Sequence, residues 1–257
     1  DSTVPLTFKF LEMNNLGMED SLYIKLNARG KPLTPFENLK AQLIDRQKKL
    51  KLPFVVEVER NFDGEWTDLF WLNSKENFDK TYLSFFGVLF MNENIIQSDD
   101  NWINTIDYEK VDLKIFETVR YTLNFLCNNK NGMAYQFIFK ALSDNRTYSD
   151  RVLFHAVTTY LYESKGKSDN SLEDWLRIMK NLTLNTRIDD LEPYNRAIDG
   201  INNLSGSWNN LLLAFSRKDQ VTGFLKEQIE EEQIKASIIL QAENYALAIY
   251  EAEKHPY

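Results

Sequence analysis

Apolar residues recur every three or four positions along most of the chain, which is the spacing of an amphipathic helix. The stripe Phe78, Tyr82, Phe85, Phe86, Leu89 and Phe90 is one example. From residue 76 onward the spacing predicts helices over 76–95, 111–128, 133–145, 149–165, 171–187, 190–204, 207–216 and 220–254. The pattern therefore predicts a mainly α protein, most of which is a multi-helix bundle.

The first fifth of the chain has a different pattern. Apolar and polar residues alternate over residues 5–12 and 22–27, and this period of two predicts two short strands. Gly30 and Pro32 end the second strand, since glycine permits a positive φ and proline cannot donate to a β ladder. We therefore expect a small β-containing N-terminal remnant, made of two strands and a helix, before the bundle.

The helix of this remnant has a clear start signal. Thr34 is a good N-cap, Pro35 suits the first helical position, and Glu37 stands where a capping box needs it. The helix is predicted to run from Phe36 to about Leu50, with Phe36, Leu39, Leu43 and Ile44 on its buried face.

Asn27 and Arg29 lie in the loop just before this helix. A helix N-terminus favours an anion, and a guanidinium can bind a phosphate or carboxylate through two hydrogen bonds. The alternative is that both side chains only satisfy the turn and pair with a nearby acid. The residues alone leave both interpretations open.

Two charged clusters also allow two interpretations each. The basic end of the first helix is either a solvated face that complements the helix C-terminus or a phosphate-contacting patch; it comprises Lys40, Arg46, Lys48, Lys49 and Lys51. The acidic cluster either holds a hard cation or faces solvent; it comprises Asp63, Glu65 and Asp68.

The last helix, about Thr222 to Glu253, is predicted to turn its aliphatic residues inward and its acids outward. The inward set is Phe224, Leu225, Ile229, Ile234, Ile238, Ile239, Ala242, Leu247 and Ile249. The outward set is Glu227, Glu230, Glu231 and Glu232.

The composition of the chain argues against several kinds of site and partner. A net charge of −8 argues against capture of nucleic acid over the whole surface. The single cysteine, Cys127, excludes an internal disulfide and a cysteine-based zinc site. His155 and His255 are far apart in sequence, so each is expected to be a core or surface histidine. No apolar run has the length of a membrane span, and we expect a cytoplasmic protein with no membrane partner.

Residues 6–44 resemble the end of the N-terminal domain of GmrSD-type restriction endonucleases. That family shows a strand followed by a pattern like Ile-Lys-Met-Asn-x-Arg-Gly-Lys-Pro-Leu-Thr-x-Phe-Glu-x-x-Lys-Ala. The corresponding residues here are Ile24-Lys25-Leu26-Asn27-Ala28-Arg29-Gly30-Lys31-Pro32-Leu33-Thr34-Pro35-Phe36-Glu37-Asn38-Leu39-Lys40-Ala41. Weaker similarities occur at 64–71, 181–182, 231–236 and 252–257, so the resemblance covers most of the chain.

The resemblance implies that residues 1–52 are the C-terminal part of a ParB/sulfiredoxin-like nucleotide-binding domain and that 53–257 are a helical extension. By a further similarity to a ParB loop pattern, Asn27 and Arg29 would face a nucleoside triphosphate or its Mg²⁺, and Glu37 would hold the loop. Lys31 is expected to contribute to nucleotide binding beside them. The family's Asp-Gly-Gln-Gln-Arg motif and a His-rich nuclease motif are both missing from this sequence. We therefore expect a fragment that supplies one wall of the site and no catalytic residue.

The implied function is that of a nucleotide-dependent DNA-restriction or phage-defence protein. The full-length protein is expected to be a nuclease that needs a nucleoside triphosphate, to act on DNA and to carry its nuclease domain in the same chain, whereas the fragment alone is expected to be inactive. The alternative is a non-catalytic helical scaffold or partner-binding module.

Overall fold

The computed structural model of the chain describes residues 33–97 and 101–254, except the side chains of Glu76 and of residues 245–254. This part is mainly helical, which confirms the predicted class, and it contains no strand. The two predicted strands lie outside the described residues. The helices are α1 Pro35–Lys49, α2 Val55–Asp63, α3 Glu65–Ser74, α4 Phe78–Asn92, α5 Leu113–Asn128, α6 Met133–Ala141, α7 Tyr148–Glu163, α8 Asn170–Leu184, α9 Leu191–Leu204, α10 Leu211–Ser216 and α11 Lys226–Lys254.

Helix α7 is at the centre of the bundle. Every residue from Asp150 to Thr158 is buried, and α4, α5, α6, α8 and α9 all contact α7. A helix that is buried on all sides must be enclosed by other helices. Two polar side chains of these neighbours bond to its backbone: Asn92 of α4 donates to the Arg151 carbonyl (3.1 Å), and Trp175 of α8 donates to the Ala156 carbonyl (2.9 Å).

An aromatic stack attaches α1 to this bundle. The ring of Tyr82 on α4 lies between Phe36 of α1, at 4.2 Å between ring centroids, and Phe70 of α3, at 4.0 Å. Leu39 and Leu43 of α1 are also buried, as the sequence predicts. Stacked aromatic pairs add to the stabilisation that burial alone gives, so α1 has a fixed position on α4.

The last helix, α11, faces its neighbours differently from the prediction. Ile234 and Ile238 are 59% and 60% exposed, and Leu225 is 47% exposed, so their predicted inward orientation is wrong. Ile229 is buried as predicted, and Ala236, which is outside the predicted inward set, is buried as well. Within residues 33–97 and 101–254, no helix combines the length and apolarity needed to cross a membrane.

Glu232 explains this orientation. Its side chain is 1% exposed, although the sequence places it on the outer face. The carboxylate accepts hydrogen bonds from Arg177 (3.1 Å) and Asn181 (3.0 Å) of α8 and from Lys235 (2.8 Å) of α11. Three donors compensate for the loss of water, and the two bonds to α8 hold this side of α11 inward.

We predict that Glu232→Ala lowers the free energy of unfolding by about 1–3 kcal/mol, because three charged-group hydrogen bonds are lost in a buried site. Glu231→Ala is the matched control, since Glu231 is the neighbouring acid and is exposed. Chemical denaturation of both variants measures the difference. Equal stability of the two variants would show that the buried acid contributes nothing.

A close backbone contact fixes the segment that leads into α11. A Cβ atom on Gly200 of α9 would lie 2.4 Å from the carbonyl oxygen of Thr222 and 3.2 Å from the Cα of Gly223. Gly223 itself has a φ of +90°, a conformation that side chains rarely adopt.

We predict that Gly200→Ala destabilises the fold by about 1–3 kcal/mol, because the added methyl group forces the backbone at Thr222 to move. Gly206→Ala is the control, since nothing lies within 4 Å of a Cβ atom there. Thermal unfolding of both variants tests this. A Gly200→Ala protein as stable as the control would contradict the contact.

Candidate functional site

The predicted capping box at the start of α1 is present. The Glu37 N–H donates to the Thr34 hydroxyl (3.2 Å), and the Thr34 N–H donates to the Glu37 carboxylate (2.6 Å). The Asn38 N–H bonds to the Thr34 carbonyl (3.0 Å), and Pro35 has no N–H. The amides of Thr34, Glu37 and Asn38 are therefore used and Pro35 has none, so an anion at this helix end would draw on at most the Phe36 amide and on side chains of the preceding loop.

A groove of about 760 Å³ opens beside this first turn. One wall is α1, and the other is the segment 101–110, which forms two short 3₁₀ turns, Trp102–Thr105 and Tyr108–Lys110. The lining residues combine amide, aromatic and aliphatic side chains: Pro35, Asn38, Leu39, Gln42, Asn101, Trp102, Ile103, Asn104 and Tyr108. The volume falls in the range of small-molecule sites.

Arg46 ties the two walls together. From α1 its guanidinium donates to the Glu109 carboxylate (2.9 Å), the Glu109 carbonyl (2.9 Å) and the Val111 carbonyl (3.1 Å). Its side chain is only 13% exposed. Three hydrogen bonds from one rigid planar group fix the spacing of the walls better than a lysine would.

The side chain of Trp102 packs against α4. A Cβ atom on Gly87 would lie 3.2 Å from the Trp102 ring, so the indole packs directly on the glycine backbone. The ring also meets Phe90 edge to face, with centroids 6.1 Å apart. The indole therefore occupies a fixed position in the groove wall.

The predicted site residues divide into two groups. Asn27, Arg29 and Lys31 lie outside the described residues, and Glu37 serves in the capping box. The lining residues of segment 101–108 were missed, because this stretch has no helical or strand period. Its only signal is the two asparagines on either side of an aromatic and an aliphatic residue in Asn101-Trp102-Ile103-Asn104.

The basic end of α1 is engaged with acids. The ion pairs are Lys40 with Asp63, Arg46 with Glu109 (2.9 Å), Lys48 with Glu59 (2.9 Å) and Lys49 with Asp45 (2.7 Å). These pairs favour a structural role for this surface over a phosphate-contacting patch. Over residues 33–97 and 101–254, no group of three His, Cys, Asp or Glu residues is arranged to hold a metal ion.

A second, smaller cavity of about 170 Å³ lies between α5, α7 and α9, next to a buried histidine. His155 of α7 is 1% exposed, as expected for a core histidine, and its Nε2 bonds to Asn202 Oδ1 (2.8 Å). Its Nδ1 is 3.9 Å from a Glu93 carboxylate oxygen, beyond hydrogen-bond distance. Lys114 forms an ion pair with Glu93 (2.7 Å).

Burial lowers the pKa of His155 below its ordinary 6.5, since the charged imidazolium loses its hydration. The carboxylates of Glu93 and Asp199 and the bond to Asn202 act in the opposite direction, and Lys114 adds to the lowering. The desolvation effect is the largest of these. The imidazole is therefore neutral in the folded protein at neutral pH.

Comparison of the chain with models of protein families, with curated proteins and with solved structures gives no match. The residues and geometry of this chain are therefore the basis for its proposed function.

We predict that His155 makes the protein less stable as the pH falls below 6.5. The unfolded chain binds a proton there before the folded one does, so the free energy of unfolding decreases, with a slope of at most about 1.4 kcal/mol per pH unit, until the folded pKa is reached. Denaturation of the wild type and of His155→Gln between neutral pH and pH 5 measures this contribution.

The variant is expected to lose that part of the pH dependence, while His255→Gln keeps it. These are the only two histidines in the chain, so the comparison assigns the effect to one of them. Parallel pH profiles of the wild type and His155→Gln would contradict the assignment.

Proposed function

We propose that this chain is part of a nucleotide-dependent DNA-restriction or phage-defence protein of the cytosol. In this proposal residues 27–37 form one wall of a nucleoside triphosphate site, and the helices position that site relative to a nuclease domain. The support is the residue pattern of the loop before α1, together with the groove that opens at the first turn of that helix.

The groove is the observation that carries the proposal. Lys31 and Arg29 stand four and six positions before Pro35, so their Cα atoms lie at most about 14 Å and about 22 Å from the Cα atom of Pro35. Arg29 and Lys31 are thus within chain reach of a groove of about 760 Å³ whose described lining is uncharged. A phosphate-binding loop next to such a groove is a suitable arrangement for a nucleotide.

Most amides of the first turn are used or missing, which supports a phosphate contact made mainly by side chains. Asn27, Arg29 and Lys31 are the proposed contacts, and Glu37 keeps the helix start in place through the capping box. No described residue is a proposed Mg²⁺ ligand, since no group of three His, Cys, Asp or Glu residues in this part of the chain is arranged to hold a metal ion. When bound, Mg²⁺ would neutralise charge on the triphosphate.

One observation favours the alternative, a scaffold or partner-binding module. Ile234 and Ile238 lie one turn apart on α11, and both are more than half exposed. Adjacent exposed aliphatic residues are a frequent feature of protein-binding surfaces. In that reading the loop before α1 is only structural.

Arg29→Ala separates the two functions. If Arg29 binds phosphate, its loss is expected to weaken binding of a nucleoside triphosphate with Mg²⁺ by about 10- to 100-fold, the equivalent of a charged hydrogen bond or two, with the melting temperature unchanged. Calorimetric titration of the 257-residue chain, and of the longer protein expected to contain it, measures this.

Arg187→Ala is the matched control, because Arg187 is 89% exposed and forms an ion pair only near its own turn, with Asp189. Nucleotide binding that is equal in the two variants, or absent from both proteins, would overturn the proposed site. A loss of stability in Arg29→Ala without a loss of binding would favour the scaffold.

A further inference from the structure

The groove between α1 and segment 101–110 contains the chemistry that recognises a flat, uncharged, polar group. Its described lining has four amides, two aromatic rings and three aliphatic side chains. An amide presents a donor and an acceptor side by side, which is the pattern along the edge of a nucleobase. Aromatic rings offer a surface on which any base can stack.

The amides of α1 are well placed for this role. Asn38 and Gln42 are four residues apart, so they share one face of the helix. Both are exposed, whereas Leu39 between them is buried in the core. The helix therefore presents two adjacent amides to the groove from a rigid backbone, and this supports directional hydrogen bonding.

The opposite wall is held rigidly by the rest of the protein. Trp102 packs on Gly87 and Phe90, and Arg46 fixes Glu109 and Val111 against α1. Lys110 also donates to the carbonyl of Asn94, just beyond α4 (3.2 Å). A stacking surface that is ordered before binding loses little conformational entropy when a ligand arrives.

We infer that this groove binds the base of the nucleotide, with Trp102 and Tyr108 as the stacking surface and Asn38 and Gln42 as hydrogen-bonding partners of the base edge. The inference rests on the proposed function, in which the loop at Asn27, Arg29 and Lys31 binds the phosphates. It divides the nucleotide between two parts of the chain, the groove and the loop.

The experiment titrates three probes that separate these parts: adenosine and guanosine, which lack phosphate; inorganic tripolyphosphate, which lacks a base; and the triphosphates themselves. NMR of the 257-residue chain follows the indole N–H signals of its five tryptophans, and the signal missing from Trp102→Leu identifies Trp102. At millimolar concentration a nucleoside is expected to shift the Trp102 signal, and tripolyphosphate is expected to leave it unchanged.

Substitutions then test the individual contacts. Trp102→Leu is expected to weaken nucleoside and triphosphate binding by about 5- to 100-fold, the range for one stacked base. Gln42→Leu is expected to weaken both by about 3- to 10-fold, as one neutral hydrogen bond is lost. Since Gln42 is exposed, this variant stays folded even if Trp102→Leu does not.

The controls are Trp71→Leu and Gln136→Leu, which change an exposed tryptophan of α3 and an exposed glutamine of α6 outside the groove. Nucleoside binding that is absent, or equally strong in Gln42→Leu and Gln136→Leu, overturns the inference. A neutral oligosaccharide that shifts the Trp102 signal when nucleosides do not would also overturn it and would identify a sugar site.

The two proposals fail in different ways. If Arg29→Ala leaves triphosphate binding intact while nucleosides still bind at Trp102, the phosphate loop is wrong and the base site stands. If triphosphate binding depends on Arg29 but not on Trp102 or Gln42, the proposed function stands and the base site is wrong.

Discussion

The enclosure of α7 is the constraint on which the rest of the structure depends. Nine consecutive residues, Asp150 to Thr158, are buried, so this helix has no side on which it can face water. Five other helices must therefore surround it, and their own apolar stripes are used in doing so. Two of its buried polar side chains bond to neighbours: Asp150 completes a capping box with Thr147, and Nε2 of His155 bonds to Asn202.

The position of the groove depends on this arrangement indirectly, through α4. Helix α4 packs on α7, and its residues Tyr82, Gly87 and Phe90 then serve the outer layer. Tyr82 positions α1, while Gly87 and Phe90 position Trp102. Both walls of the groove are therefore positioned by α4, and Arg46 connects the two walls directly through its hydrogen bonds. A site built in this way has the rigidity of the core although it lies at the surface.

Periodicity predicted the parts of this fold in which one face is apolar and the other polar. The stripe of α4 and the capping box of α1 are examples, because each depends on residues close in sequence. The orientation of α11 was not predictable in the same way. Glu232 looks like an outward acid until Arg177 and Asn181, more than fifty residues earlier, supply its hydrogen bonds.

The groove likewise could be predicted only where its residues are close in sequence. The capping box that opens α1 can be read from Thr34 and Glu37, but the opposite wall is an aperiodic segment held by tertiary contacts. Nothing near Trp102 in sequence indicates that it rests on Gly87, fifteen positions earlier. The loop residues Asn27, Arg29 and Lys31 remain predictions, since they lie outside the described part of the chain.

The enclosure of α7 also makes the bundle indivisible. The helices that cover it come from both sides along the chain, α4 to α6 before it and α8 and α9 after it. A chain cut in the turn at residues 164–169 would give two pieces, each with a long apolar surface shaped for the other. Each piece alone would expose apolar surface that the intact bundle buries, and the contacts between α7 and the helices α8 and α9 would form only when the two pieces meet. A recombination that separates α4 to α7 from α8 and α9 would leave these surfaces uncovered.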